Sequence, residues 1–537
     1  MRNNQKLSLR KKAMNQKIME HRKNLEETRV LNFINVKNLN LSKYKDIIEQ
    51  FLSLKTGDDK LLYMTTYLEN NIEIIDIFSN LYFYQNNSLT LTDLDKYFLL
   101  VISSILDKNV MKRYFPGNII KENNFIYNKD FPLKMSQKLF RIFFSILFNM
   151  KIREVQVTII NLMLSYSEYS DDFIRYCLED IRYINKLFEL TYIDNKEIIV
   201  EVGIILDNII INEDCDEKKL KDILKNIPLI QRCQELISIS NFNDSLKINY
   251  LELIYSIICK IDQQNYNDFR YFINVFSNIL STTSKNEDIF NLILKISSEL
   301  SLDESICEDM MDKGLGYIFF NSLSIPNMQR EFVIQILRIF SNFFYSDKII
   351  RYFLDNFEEK IFTVFIRIIY TYLHTANEED LKLLKELLFC LSNFATGPPD
   401  TQTIISKTDI PKLVLQIMKI KNNNRIYFEG IHFFVNIMSE CNKETFTIIS
   451  ELHPFKIFAK GLEITGDAKD ILLCLDALQQ LIQKNLEVYY TNENLKNEFY
   501  ICCAKRKLDD LSLHKNEKIA QKSKEILNYF DDKMKTD

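Results

Sequence analysis

Tryptophan is missing from all 537 residues, and glycine and proline number only 9 and 8. A β-rich or α/β chain of this length needs more tight turns than so few breakers can make. No apolar run approaches the roughly 18–20 residues that cross a bilayer. The N-terminus is basic and lacks the apolar h-region of a secretory signal, so none is expected. Ten cysteines and five histidines (His21, His374, His432, His453, His514) are scattered without ligand spacing, and Cys502 and Cys503 are simply adjacent. The thiols are expected to be buried and reduced, as in an intracellular protein, and no metal site is expected. Gly-rich phosphate loops and nucleophile motifs are missing too. No isolated carboxylate pair stands outside the helical pattern. Neither an enzyme nor a cofactor-binding protein is expected.

Hydrophobic residues make up 47% of the chain and charged residues 26%, which suits a soluble, nearly all-helical protein with ample core. The abundance of Asn, Ile and Lys reads as compositional drift. Within this background, similar apolar helices recur with one matching position: REVQVTIINLML (Asn161), VEVGIILDNII (Asn208), INYLELIYSIIC (Ile257), IFNLILKISSEL (Ser298), VIQILRIFSNFF (Asn342), KELLFCLSNFA (Asn393) and FEGIHFFVNIMS (Asn436). The matching positions are 47, 49, 41, 44, 51 and 43 residues apart. Armadillo and HEAT units repeat every ~40–47 residues, so the spacing predicts an α-solenoid without choosing between them. No unit can bury its apolar face alone, and stacking makes a continuous core with a concave inner surface.

Residues 387–412, LLFCLSNFATGPPDTQTIISKTDIPK, say more. Gly397-Pro398-Pro399 cannot continue a helix. The stretch therefore reads as helix, sharp turn, short helix, a second turn at Pro411, and a third helix, which is one armadillo unit. It resembles the seventh armadillo repeat of importin-α, the adaptor that carries proteins into the nucleus. Further residues carry the resemblance. LRIFSN places Arg338 four residues before Asn342, as in the family's sixth repeat. ISSELSLDESICEDMMDKGLGYIFFNSL is similar to the fifth repeat with its Lys-Gly turn. ILLCLDALQQLIQ resembles the ninth, and RKLDDLSLHKNEKIAQKSKEILNYFDD the last. The resemblance implies an all-α, right-handed superhelical solenoid of about ten armadillo repeats. Residues 1–38 would be a basic helix, 39–490 repeats one to nine with an insertion near 100–133, and 491–537 the terminal repeat.

On a helix, residues at −7, −4 and 0 share one face. In the resembling family a Glu, a Trp and an Asn at these positions face the groove. The Asn amide holds an extended peptide backbone, the Trp packs on Lys stems, and the Glu receives the basic head. One site, over repeats two to four, keeps Glu154 with Asn161 and Glu201 with Asn208. Its Trp positions are Val157, Ile204 and Leu253, its third Asn is Ile257, and Asn212 replaces the acidic residue that would grip a key lysine. The second site, over repeats six to eight, keeps Arg338 and Asn342, Glu386 with Phe389 and Asn393, and Glu429 with His432 and Asn436. Cargo is expected to prefer the second site.

Residues 1–30 hold nine Lys or Arg and three Glu, a charge of +6, which leaves −11 for the rest of a chain of net charge −5. Such asymmetry suits an arm that binds an acidic surface. EHRKNLEETRVLNFINV resembles the end of the importin-β-binding helix, with Arg22-Lys23 at the family's Arg-Lys and Asn35-Val36 at its closing Asn-Val. The resemblance implies contacts to importin-β from Arg10, Lys11, Lys12, Arg22, Lys23 and Arg29. The family's basic triplet before the Asn-Val is here Asn32-Phe33-Ile34, so self-inhibition is expected to be weak. The expected partners are importin-β, cargo proteins with nuclear localisation signals, and the family's recycling exportin, with neither nucleic acid nor membrane. The expected location is cytoplasm and nucleus, with shuttling between them. The alternative is an armadillo scaffold outside the import cycle, holding a cytoskeletal or signalling partner.

Overall fold

The computed structural model describes residues 153–532 apart from short gaps, with Phe140, Phe144 and Leu147 before them. Every element among them is helical. The chain divides into two compact units, residues 1–261 and 262–537. In the first, α1 (Arg153–Tyr169) is followed by two three-helix repeats: α2 (Asp171–Glu179), α3 (Ile181–Glu189) and α4 (Lys196–Ile211), then α5 (Glu217–Asn226), α6 (Leu229–Ser238) and α7 (Asp244–Ile258). The second holds six repeats. A 3-10 helix (Gln263–Phe269) replaces the first helix of the opening one, followed by α8 (Arg270–Thr282) and α9 (Glu287–Leu300). Then come α10 (Glu304–Asp312), α11 (Leu315–Leu323) and α12 (Arg330–Phe343), and α13 (Asp347–Phe357), α14 (Lys360–Leu373) and α15 (Glu378–Phe394). The last three are α16 (Pro399–Lys407), α17 (Ile410–Met418) and α18 (Asn424–Ser439); α19 (Lys443–Ser450), α20 (Pro454–Ile464) and α21 (Ala468–Tyr489); and α22 (Glu493–Ile501), α23 (Ala504–Leu511) and α24 (Glu517–Asp532).

Within each unit the third helix of a repeat packs on the third helix of the next: α1 on α4 and α4 on α7, then α9, α12, α15, α18, α21 and α24 in turn. This is an all-α solenoid of armadillo type, with two shorter helices leading into each stacked third helix from α4 onward. Capping chemistry sets where those helices begin. Asn195, Asn243, Asn286, Asn377 and Asn423 sit at the N-caps of α4, α7, α9, α15 and α18, each accepting a backbone N–H from the first turn. Such a side chain satisfies a donor that the helix leaves unpaired, so part of the Asn abundance has a structural use.

The breaks at 387–412 fall close to the expected places. α15 ends at Phe394, and Pro399 opens α16. The second break lies at Thr408–Asp409 rather than at Pro411, which sits in the first turn of α17, where proline's missing N–H costs nothing. The Lys313-Gly314 turn precedes α11, and Gly314 takes the left-handed conformation at φ 80°, which a Cβ would disfavour.

The core is aliphatic and aromatic. Phe344 and Phe394 meet edge to face at 4.6 Å between α12 and α15. At the start of the first unit, Phe140 and Phe144 are buried against an aromatic cluster of Phe173, Tyr176 and Tyr183. Basic side chains also tie repeats together through helix ends. Arg367 donates to the carbonyls of Leu323 and Ser324 at the end of α11, and Arg232 to the carbonyl of Thr191 at 2.6 Å. Cations belong at helix C-termini, where carbonyls are unpaired.

Candidate functional site

The third helices carry the candidate residues, and their asparagines form a cross-repeat ladder. In the first unit, Asn208 Nδ2 donates to Ser167 Oγ on α1 at 3.0 Å, and that hydroxyl donates to the Leu164 carbonyl. The second unit repeats the motif, with Asn342 Nδ2 donating to Ser301 Oγ at 2.8 Å. Asn393 Nδ2 donates to the Ser341 carbonyl at 2.9 Å, and Asn436 Nδ2 to the carbonyl and hydroxyl of Ser392 at 3.0 and 2.9 Å. Each serine sits immediately before or a few residues after the matching position of the preceding repeat. The amide nitrogen thus joins neighbouring third helices, and that of Asn436 makes both of its bonds to Ser392. Asn342 and Asn436 are half-buried, whereas Asn208 and Asn393 are 8% and 7% exposed. The first two therefore present more of their amides.

On α15 and α18 the expected triads occupy one face. Glu386 is half-buried, Phe389 is exposed and Asn393 lies at the floor; Glu429 and Asn436 are half-buried on either side of exposed His432. The two glutamates differ in partners. Arg338 Nη2 on α12 donates to Glu386 Oε1 at 2.7 Å. Lys385 lies 3.9 Å from Glu429, beyond hydrogen-bonding distance. Burial raises the Glu429 pKa, opposed by Lys385 and reinforced by Glu386. Desolvation lowers the His432 pKa, opposed by Asp470. Burial also works against the Arg338 cation, but the bond to Glu386, with Glu331 and Glu299 nearby, holds its pKa above the ordinary value.

The first site departs from expectation at α7. Leu253 and Ile257 are fully buried and belong to the core, not to a groove wall. The less buried stripe of α7 is instead Ile248, Glu252, Tyr255 and Cys259, at the four- and three-residue steps of one helix face. Neither Leu253 nor Ile257 falls on that stripe. The −7 position of the sequence register, Tyr250, fills the core and donates its hydroxyl to the Ile199 carbonyl at 2.9 Å. Ile204 is buried at 7% exposure and Val157 is half-buried. Asn161 and Glu201 are half-buried on α1 and α4, and Glu154 lies in the first turn of α1. Asn212 pairs with Asp171 at 2.9 Å. Its carbonyl and that of Cys215 accept from Lys260 Nζ at 2.5 and 2.7 Å, so a lysine of this chain already caps the end of α4.

Arg10, Lys11, Lys12, Arg22, Lys23 and Arg29 lie outside the described residues, as does the segment 100–133. Among the described residues no cluster of His, Cys, Asp or Glu could hold a metal ion, and no helix is long and apolar enough to cross a membrane.

No family model matches the chain, and no curated protein matches it in sequence. Solved structures do match in shape. An engineered protein from the Northeast Structural Genomics Consortium aligns with a TM-score of 0.62 at 13% identity, covering 83% of this chain and 97% of that one. A structure from work on the phosphorylation switch between cadherin and β-catenin aligns with a TM-score of 0.53 at 14% identity, over 74% of this chain and 70% of that one. At such identities the likeness concerns the fold alone.

Proposed function

We propose that this chain is a non-enzymatic adaptor of the nuclear import type, which holds an extended basic peptide along the third helices α12, α15 and α18. One observation carries the reading: Glu386, Phe389 and Asn393, then Glu429, His432 and Asn436, recur in register on successive third helices, each Asn anchored to the helix before it. The amides receive the peptide backbone, Phe389 packs on lysine stems with a π face, and Glu429, without a hydrogen-bonded cation, takes an ammonium head. The basic N-terminal segment joins importin-β, and the assembly shuttles between cytoplasm and nucleus. Recycling by an exportin has less support, because α24 carries Lys518 and Ala520 where the resembling family has an acidic residue and a Tyr.

Titration of importin-β against the full chain tests the import half of this reading. Binding is expected at low salt, weakening as salt screens the charge pairs, with most of it lost on Arg22→Glu with Lys23→Glu. No binding at low salt would favour the second reading, a scaffold whose same face serves a cytoskeletal or signalling partner.

A further inference from the structure

Arg338 is the cation on the second unit's third-helix face that is hydrogen-bonded to a candidate ligand-binding carboxylate. It reaches from α12 to Glu386 on α15 at 2.7 Å, and both side chains keep contact with solvent, at 38% and 22% exposure. Glu331, seven residues before it on the same helix, and Glu299 at the end of α9 add their fields to that of Glu386. Carboxylates from three successive third helices thus favour one guanidinium, and Glu386 bonds to it directly. Lys385, adjacent to Glu386 in sequence, faces Glu429 instead. A peptide lysine approaching Glu386 meets a site already holding a hydrogen-bonded cation.

We propose that Arg338 is a built-in counter-ion: it occupies the slot that a cationic side chain of the bound peptide would take, and its displacement sets the affinity of this face for basic peptides. This rests on the peptide-binding reading of the face. Removing the guanidinium while leaving the carboxylates converts an internally paired site into an acidic one and removes the like charge that repels the ligand. Partly exposed pairs contribute little to stability, so the variant should fold.

The test is titration of a labelled hexalysine peptide against the full chain and its Arg338→Gln and Arg338→Met variants, with folding checked by circular dichroism. Both variants should bind about tenfold more tightly, a difference of about 1.4 kcal/mol, and adding Glu386→Gln should erase the gain. Wild-type binding with unchanged or weaker affinity in both folded variants would overturn the role of Arg338 alone. Absence of binding in every protein would overturn the peptide-binding reading and this inference with it.

Discussion

At Asn208, Asn342, Asn393 and Asn436 a single side chain has two duties. One N–H crosses to the preceding third helix, a bond worth about 0.5–1.5 kcal/mol each, and under the proposed function the carbonyl oxygen receives the peptide backbone. The carboxylates beside them are tuned by what surrounds them. The folded-state pKa of Glu429 is raised, chiefly by burial, so its charged form opposes folding. Below the unfolded value of about 4.3 the group is protonated in both states and carries no penalty. That advantage is lost as pH rises through the folded pKa. Glu429→Gln should therefore unfold at higher urea than the wild type at pH 7, with the gap closing at pH 4. A gap that stays constant with pH would show that burial does not dominate there. The asparagines and glutamates were legible in the sequence because polar residues in apolar helices mark a register. Their partners were not, since Arg338–Glu386 joins side chains 48 residues apart, a pairing that depends on how third helices stack.

The helices follow the breakers and caps closely: Gly397, Pro398 and Pro399 end α15 and start α16 where the sequence requires it. The failure at α7 has a physical cause. Asp244–Ile258 is apolar almost all round, with Tyr250, Leu251, Leu253, Ile254, Ile257 and Ile258 buried. A helix without a polar stripe carries no mark of which face looks outward, and only packing decides. Packing is equally tight between the later repeats. A Cβ on Gly461 of α20 would lie 2.6 Å from Cys474 Sγ on α21 and 2.8 Å from Ile431 Cδ1 on α18. Both neighbours are fully buried, so neither can move aside freely. Alanine gains about 1 kcal/mol in helix propensity over glycine, and overpacking costs about 1–3 kcal/mol. Gly461→Ala should accordingly lower the melting temperature, whereas a higher one would mean that the α18–α20–α21 junction yields more than its burial suggests.

Taken whole, the chain sets a segment of +6 against a remainder of −11, and its described residues build two stacks of third helices, one per compact unit. Overall architecture was readable from periodicity, because each repeat must bury the same face against its neighbour. The use made of the exposed face rests on fewer residues. Those residues are unequal in the two units: Phe389 is exposed on the second stack, whereas Ile204 and Leu253 are buried in the first. The central claim is that the second unit's face holds the peptide. Its most direct test titrates one labelled basic peptide against the full chain, the Phe389→Ala variant, the Asn393→Ala/Asn436→Ala pair and the Asn161→Ala/Asn208→Ala pair, each first shown to be folded. Phe389→Ala should weaken binding by roughly 0.5–2 kcal/mol, and the Asn393/Asn436 pair should cost more than the Asn161/Asn208 pair. Equal losses from the two pairs, or a larger loss from Asn161 and Asn208, would contradict it and place the peptide on the first unit.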